Sequence, residues 1–245
     1  VTLSLQEREL LGLDGGHLCC VGTHYLREPV HRAFSKLAQE AQKAGFRLEI
    51  ASAHRSFERQ LRIWNGKLCG ERPVLDDHDR PVDLASLDPL SRIHSVLRFS
   101  ALPGTSRHHW GTDIDVFDAA AVAPDYKLQL SAREVEAGGV FAPLHEWLDG
   151  QITAGRSFGF YRPYDRDRGG VAPERWHLSY APLATACGRQ LRAGSLREAW
   201  HEVSRTATFL SLAQVDELLD ELLERYVERV AAPPSTALDY RPGAK

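Results

Sequence analysis

Two short stretches constrain this chain more than anything else in it: Ser106-Arg107-His108-His109-Trp110-Gly111-Thr112-Asp113-Ile114-Asp115 and Glu174-Arg175-Trp176-His177. Thr112 to Phe117 reads as a strand, and Trp176-His177-Leu178-Ser179-Tyr180 is aromatic-rich and strand-like. Side chains alternate along a strand, so Asp113 and Asp115 project to one face. Gly111 permits a sharp approach into that strand, and a turn there brings His108 alongside Asp115. Glu174 stands three residues before His177, which places a base and a ligand within reach of one metal.

A hydrolytic zinc takes three imidazole or carboxylate ligands and keeps one position open for water. It also needs a carboxylate beside that water to move its proton to the leaving group. His108, Asp115 and His177 supply the ligands and Glu174 the base. Each spacing taken alone is a weak signal, because such pairs are common by chance.

The rest of the chain gives the scaffold. Pro29 opens a helix to about Ala44, with Val30, Phe34, Leu37, Ala38 and Ala41 on one stripe. Residues 46–50 alternate as a strand, and Ser56 caps a second helix that turns Leu61 and Trp64 inwards. Residues 67–107 read as a long surface excursion, apart from a helix after Asp88-Pro89. Leu144, Trp147 and Leu148 belong to a further amphipathic helix, and residues 158–161 read as strand. Beyond Pro182 the pattern is helical: Ser211 with Gln214 makes a capping box, and an apolar stripe runs from Leu212 to Val230 as a packing face outside the chemistry. The expected organisation is a catalytic domain over 1–182, a helical extension over 183–232 packed on it, and a flexible tail over 233–245.

Net charge is −3 across 245 residues, without the basic excess of a general nucleic-acid binder. No apolar run is long enough for a membrane helix. The four cysteines lack zinc-ribbon spacing and read as free thiols, which leans towards a reducing, cytoplasmic compartment; a processed N-terminus would instead place the protein in the periplasm or cell envelope. Oligomeric state is not legible.

Ser106-x-His108-x-x-Gly111-x-x-Ile114-Asp115 followed by Glu174-x-Trp176-His177 resembles the paired signature of the LAS metallopeptidases, a group that includes VanY-type D-alanyl-D-alanine carboxypeptidases. Upstream, Ser52-Ala53-His54-Arg55-Ser56-Phe57 with Gln60 resembles a further family segment, and the likeness spans roughly residues 28 to 182. The resemblance implies an α+β fold in which a small, mostly antiparallel sheet flanked by helices carries one zinc per chain. It implies zinc on His108, Asp115 and His177, and Glu174 as catalytic acid and base. Arg55 is expected at the substrate carbonyl and developing oxyanion, where a guanidinium offers fixed donors. Ser106, Gln60 and Trp176 are expected to contact substrate. The implied reaction is hydrolysis of the D-Ala-D-Ala bond of peptidoglycan stem peptides or fragments. The alternatives are an L,D-carboxypeptidase, an endopeptidase on cell-wall peptides, or a non-catalytic zinc-binding module on the same fold.

Asp113 and His54 depart from the family pattern, which has alanine and an aromatic there. Asp113 either orients a metal ligand from behind or selects a cationic group on the substrate. The remaining histidines read as surface or satisfied core residues, and His109 is expected to point away from the metal.

Overall fold

The computed structural model describes residues 2–241. The chain opens with helix α1 (Leu5–Leu10) and a small hairpin of β1 (Cys19–Val21) and β2 (His24–Leu26). Helix α2 (Glu28–Lys43) follows, started by Pro29 in its first turn, with Val30, Ala33, Leu37 and Ala41 fully buried. Strand β3 (Leu48–Ser52) leads to α3 (Phe57–Leu68), whose N-terminus is capped by Ser56. Next come α4 (Pro89–Leu97), a 3₁₀ turn over Arg107–Trp110 and strand β4 (Asp113–Asp118). The short α5 (Ala132–Val135) and α6 (Ala142–Thr153) precede β5 (Phe160–Tyr161) and β6 (His177–Tyr180).

The four strands β3, β4, β6 and β5 form one antiparallel sheet in that order. Its two faces differ in chemistry because strand side chains alternate. Ile114, Val116, Leu178 and Phe160 pack with the buried stripe of α2 and with Leu144 and Leu148 of α6. Asp113, Asp115 and His177 take the other face.

The C-terminal part comprises α7 (Ala181–Gln190), α8 (Ala193–Ser204), α9 (Leu212–Glu217), α10 (Leu219–Leu223), a π-helical turn over Glu224–Glu228 and α11 (Ser235–Leu238). Leu196, Trp200, Val215, Leu219, Leu222 and Tyr226 share one apolar core with Phe57, Leu61 and Trp64 of α3 and with Ile93 and Leu97 of α4. Buried indoles fasten the two parts: Trp200 donates to the Pro103 carbonyl at 2.8 Å and Trp64 to the Leu210 carbonyl at 3.0 Å.

Several local expectations change. The strand expected over 46–50 lies two residues later, where β4 fixes its register by pairing Leu48 with Asp118. Only Phe160–Tyr161 extend, because Phe158 and Gly159 both take positive φ. Ser211 is left-handed and makes no capping bond, and the stripe that follows breaks at Leu218 and at the π-helical turn instead of running as one helix. Nor is 67–107 a surface excursion throughout: Val74, Ile93, Val96, Leu97 and Leu102 are buried. The tail expected to fray forms α11, buries Ala237 and packs Tyr240 against Phe158 and Tyr180; positions 242–245 lie outside the described residues.

Candidate active site

The register of β4 against β6 sets Asp115 directly opposite His177. His108 arrives from the 3₁₀ turn, which Gly111 ends in a left-handed conformation (φ 67°); a Cβ there would meet Leu18 Cδ2 at 2.4 Å and the backbone of Arg27 at 3.4 Å. All three side chains are buried. His177 Nδ1 lies 3.1 Å from Asp115 Oδ1, and His108 Nε2 lies 3.4 Å from Asp115 Oδ2. Tetrahedral ligands at about 2.1 Å from a zinc stand roughly 3.4 Å apart, so the spacing suits that ion.

The outer edges of both imidazoles are already engaged. His108 Nδ1 donates to the Ala53 carbonyl at 2.9 Å, and His177 Nε2 donates to Asp113 Oδ1 at 3.0 Å. Each ring therefore keeps its other nitrogen for the centre, the arrangement that fixes tautomer and orientation in metal-ligating histidines. Burial opposes charge on Asp115, but the two imidazoles hold its carboxyl well below the usual range. The donor set and its backing both fit zinc.

Asp113 is fully buried, with Oδ2 accepting from Thr112 Oγ1 at 2.5 Å and Oδ1 from Arg107 Nε at 2.8 Å as well as from His177. No part of it faces a substrate. Arg107 bonds onward to Ser179 Oγ at 2.6 Å and Tyr161 at 3.2 Å and lies over the Trp110 ring. This cation escaped the sequence reading, although a buried Asp113 requires a counter-charge and Arg107 stands within the same motif.

Glu174 Oε2 lies 3.7 Å from His177 Nδ1. Burial pushes its carboxyl up to about 7, with Asp115 adding to the rise and His177, Arg55 and Lys67 opposing it. Arg55 donates to Gln60 Oε1 at 2.8 Å, while its Nε, although buried, has no hydrogen-bond partner among the described residues. Burial lowers the pKa of this guanidinium.

These groups line a cleft of about 790 Å³, in the range of small-molecule sites. Ser106, Arg55, Glu174 and Trp176 all reach it. Trp176 is mostly a core residue, packed with Val135 and Phe141. Gln60 does not line the cleft: it is fully buried, donates to the Ala101 carbonyl at 2.7 Å and holds Arg55 from behind, a correction to its expected contact with substrate. His109 lies off the metal centre, with Nδ1 donating to the Arg55 carbonyl and Nε2 accepting from Gly104.

Lys67, Tyr164, Tyr226 and Val227 also line the cleft and were not singled out from sequence. Tyr226 and Val227 sit in the π-helical turn, so the C-terminal region is part of the site's wall, contrary to the expectation that it lies outside the chemistry. Its approach is close: a Cβ on Gly170 would meet the Arg225 carbonyl oxygen at 2.0 Å. Arg98 pairs with Asp77 at 2.7 Å and Asp167 at 3.0 Å, which joins two rim loops.

The profile of the VanY family, described as D-alanyl-D-alanine carboxypeptidase, matches residues 23–183. The chain belongs to this family. Within that assignment it is a peptidase by descent. Two uncharacterized proteins of Haemophilus influenzae are related to it. One is 41% identical over 105 residues, covering 41% of this chain and 72% of the relative. The other is 31% identical over 124 residues, covering 50% and 92%. Among solved structures, the chain is similar to a vancomycin-resistance D,D-pentapeptidase VanY in complex with Zn(II), at 21% identity and TM-score 0.48 over 71% of this chain and 84% of that one. It is also similar to the LD-carboxypeptidase LdcB, at 20% identity and TM-score 0.48 over 70% and 71%.

Proposed function

We propose that this VanY-family protein is a zinc-dependent carboxypeptidase that removes the terminal D-alanine from peptidoglycan stem peptides or their fragments. The observation that carries this reading is the convergence of the three ligand atoms, within 4.8 Å of one another, with the raised carboxyl of Glu174 beside them in an open cleft. His108 Nε2, the Asp115 carboxylate and His177 Nδ1 would hold the ion. When bound, a zinc ion supplies Lewis acidity and makes water a nucleophile at neutral pH.

Glu174 takes a proton from the attacking water as the new C–O bond forms, and passes it to the amide nitrogen as the C–N bond breaks. A carboxyl near 7 suits both halves of that transfer. Arg55, held by Gln60, directs donors at the carbonyl oxygen as negative charge develops there. Asp113 and Arg107 act only through His177: they fix its ring and keep Nδ1 turned to the centre.

The test is incubation of the holoenzyme with defined pentapeptide, tetrapeptide and dipeptide stems, with products read by mass spectrometry. Release of one D-alanine from the pentapeptide is expected. Loss of the tetrapeptide's terminal residue instead, or internal cleavage, would contradict the assigned bond.

A further inference from the structure

The charged groups around the cleft are mostly paired within the chain. Arg98 is held between Asp77 and Asp167, Arg107 is tied to Asp113, and Arg133 reaches Asp79 at 3.3 Å. Lys67 is different. Its side chain lines the cleft, yet its ammonium makes no hydrogen bond or ion pair among the described residues. It is half-buried, and burial draws it down to about 8, which leaves it mostly cationic at neutral pH. The charged groups acting on it are Glu174, Arg55 and Arg72. Glu174 acts on it only from beyond ion-pairing distance, so the ammonium stands open to an anion that arrives from outside.

The position of Lys67 narrows what that anion is. It stands in the last turn of α3, seven residues after Gln60, two helical turns along the same face. Gln60 anchors Arg55, so one rigid helix sets both cations. In a peptide about to lose its last residue, the terminal carboxylate carbon is three bonds from the carbonyl carbon under attack. A group that receives that carboxylate must therefore share the cleft with the groups acting on the scissile bond, here Glu174 and Arg55. The leaving residue brings one fixed negative charge, and the reacting carbonyl develops another.

We propose that Lys67 is the specificity residue that receives the free terminal α-carboxylate of the peptide and restricts the enzyme to removing the last residue. This rests on the carboxypeptidase reading above. Lys67 contacts the leaving residue and takes no part in proton transfer, so its contribution falls on substrate binding.

The experiment compares the zinc-loaded wild type, Lys67→Met and Lys67→Arg on one D-Ala-D-Ala-terminated peptide, as the free acid and as its C-terminal amide. Hydrogen bonds to charged groups typically correspond to about 10- to 100-fold in affinity. The wild type should prefer the acid by about that factor in kcat/KM. Lys67→Met should lose most of the preference, because KM rises more for the acid than for the amide, and Lys67→Arg should recover part of it. An equal loss on acid and amide, or an acid preference that survives Lys67→Met, overturns the assignment while leaving the carboxypeptidase reading intact. A folded, zinc-loaded wild type that releases no D-alanine from the acid overturns both.

Discussion

Asp113 accepts a hydrogen bond from His177 Nε2 at 3.0 Å and, through the same oxygen, an ion-paired one from Arg107 at 2.8 Å. One carboxylate thus orients a proposed metal ligand and neutralises a buried guanidinium. Asp113→Ala should weaken zinc binding by about 10- to 100-fold. It should also destabilise the fold by roughly 3–5 kcal/mol, because Arg107 is left buried without its partner. Competition with a chromophoric chelator and denaturant titration read the two effects. Unchanged zinc affinity in a folded Asp113→Ala protein would show that His177 is positioned by something else.

His145 is completely buried near Arg162 and Arg175, and burial lowers its pKa to about 2. An unfolded histidine titrates near 6.5, so the unfolded chain binds the proton that the folded one refuses. Stability from this residue is fully present above about pH 6.5 and falls as pH drops below it, by about 1.4 kcal/mol per pH unit. Replacing it with glutamine removes that slope. Urea unfolding of wild type and His145→Gln at pH 7.5 and pH 5.5 should show the variant losing less on acidification. Parallel losses in the two proteins would place the acid sensitivity elsewhere.

The Tyr226 hydroxyl lies 2.8 Å from His94 Nδ1, the two rings stack at 5.8 Å, and the side chain joins both the apolar core and the cleft wall. Tyr226→Phe should cost about 1 kcal/mol for the lost hydrogen bond, and Tyr226→Ala roughly 3–5 kcal/mol for the cavity. Thermal unfolding checks the stability order. Steady-state kinetics on a folded Tyr226→Leu variant should show an altered KM, since the ring lines the cleft; kinetics identical to wild type would remove Tyr226 from the working cleft.

The candidate site was legible in the sequence where chemistry and period coincide. Asp113 and Asp115 share a face because strands alternate, and the ligands and Glu174 come from two short motifs. The sheet's apolar side and α2 were legible for the same reason, since Val30, Leu37 and Ala41 keep helical spacing. Lys67, Tyr164 and Tyr226 carried no such signal: each reaches the cleft through the packing of distant elements. The π-helical turn escaped because an apolar stripe reports which side is buried, not how the backbone winds beneath it. Gln60 was read as a substrate contact because the resemblance identifies a residue's neighbourhood, whereas its place behind Arg55 depends on the side-chain hydrogen bonds.

The proposal that His108, Asp115 and His177 hold a catalytic zinc while Glu174 works beside it has a direct consequence for metal content. It is tested most directly by elemental analysis and turnover on the same preparations, using a peptide the wild type cleaves. Wild type and Glu174→Gln should each carry about one zinc per chain, with Glu174→Gln at least about 10²-fold slower. His108→Ala, Asp115→Ala and His177→Ala should lose both metal and activity. Full zinc occupancy in the three ligand variants, or near-normal turnover in Glu174→Gln, would contradict the account.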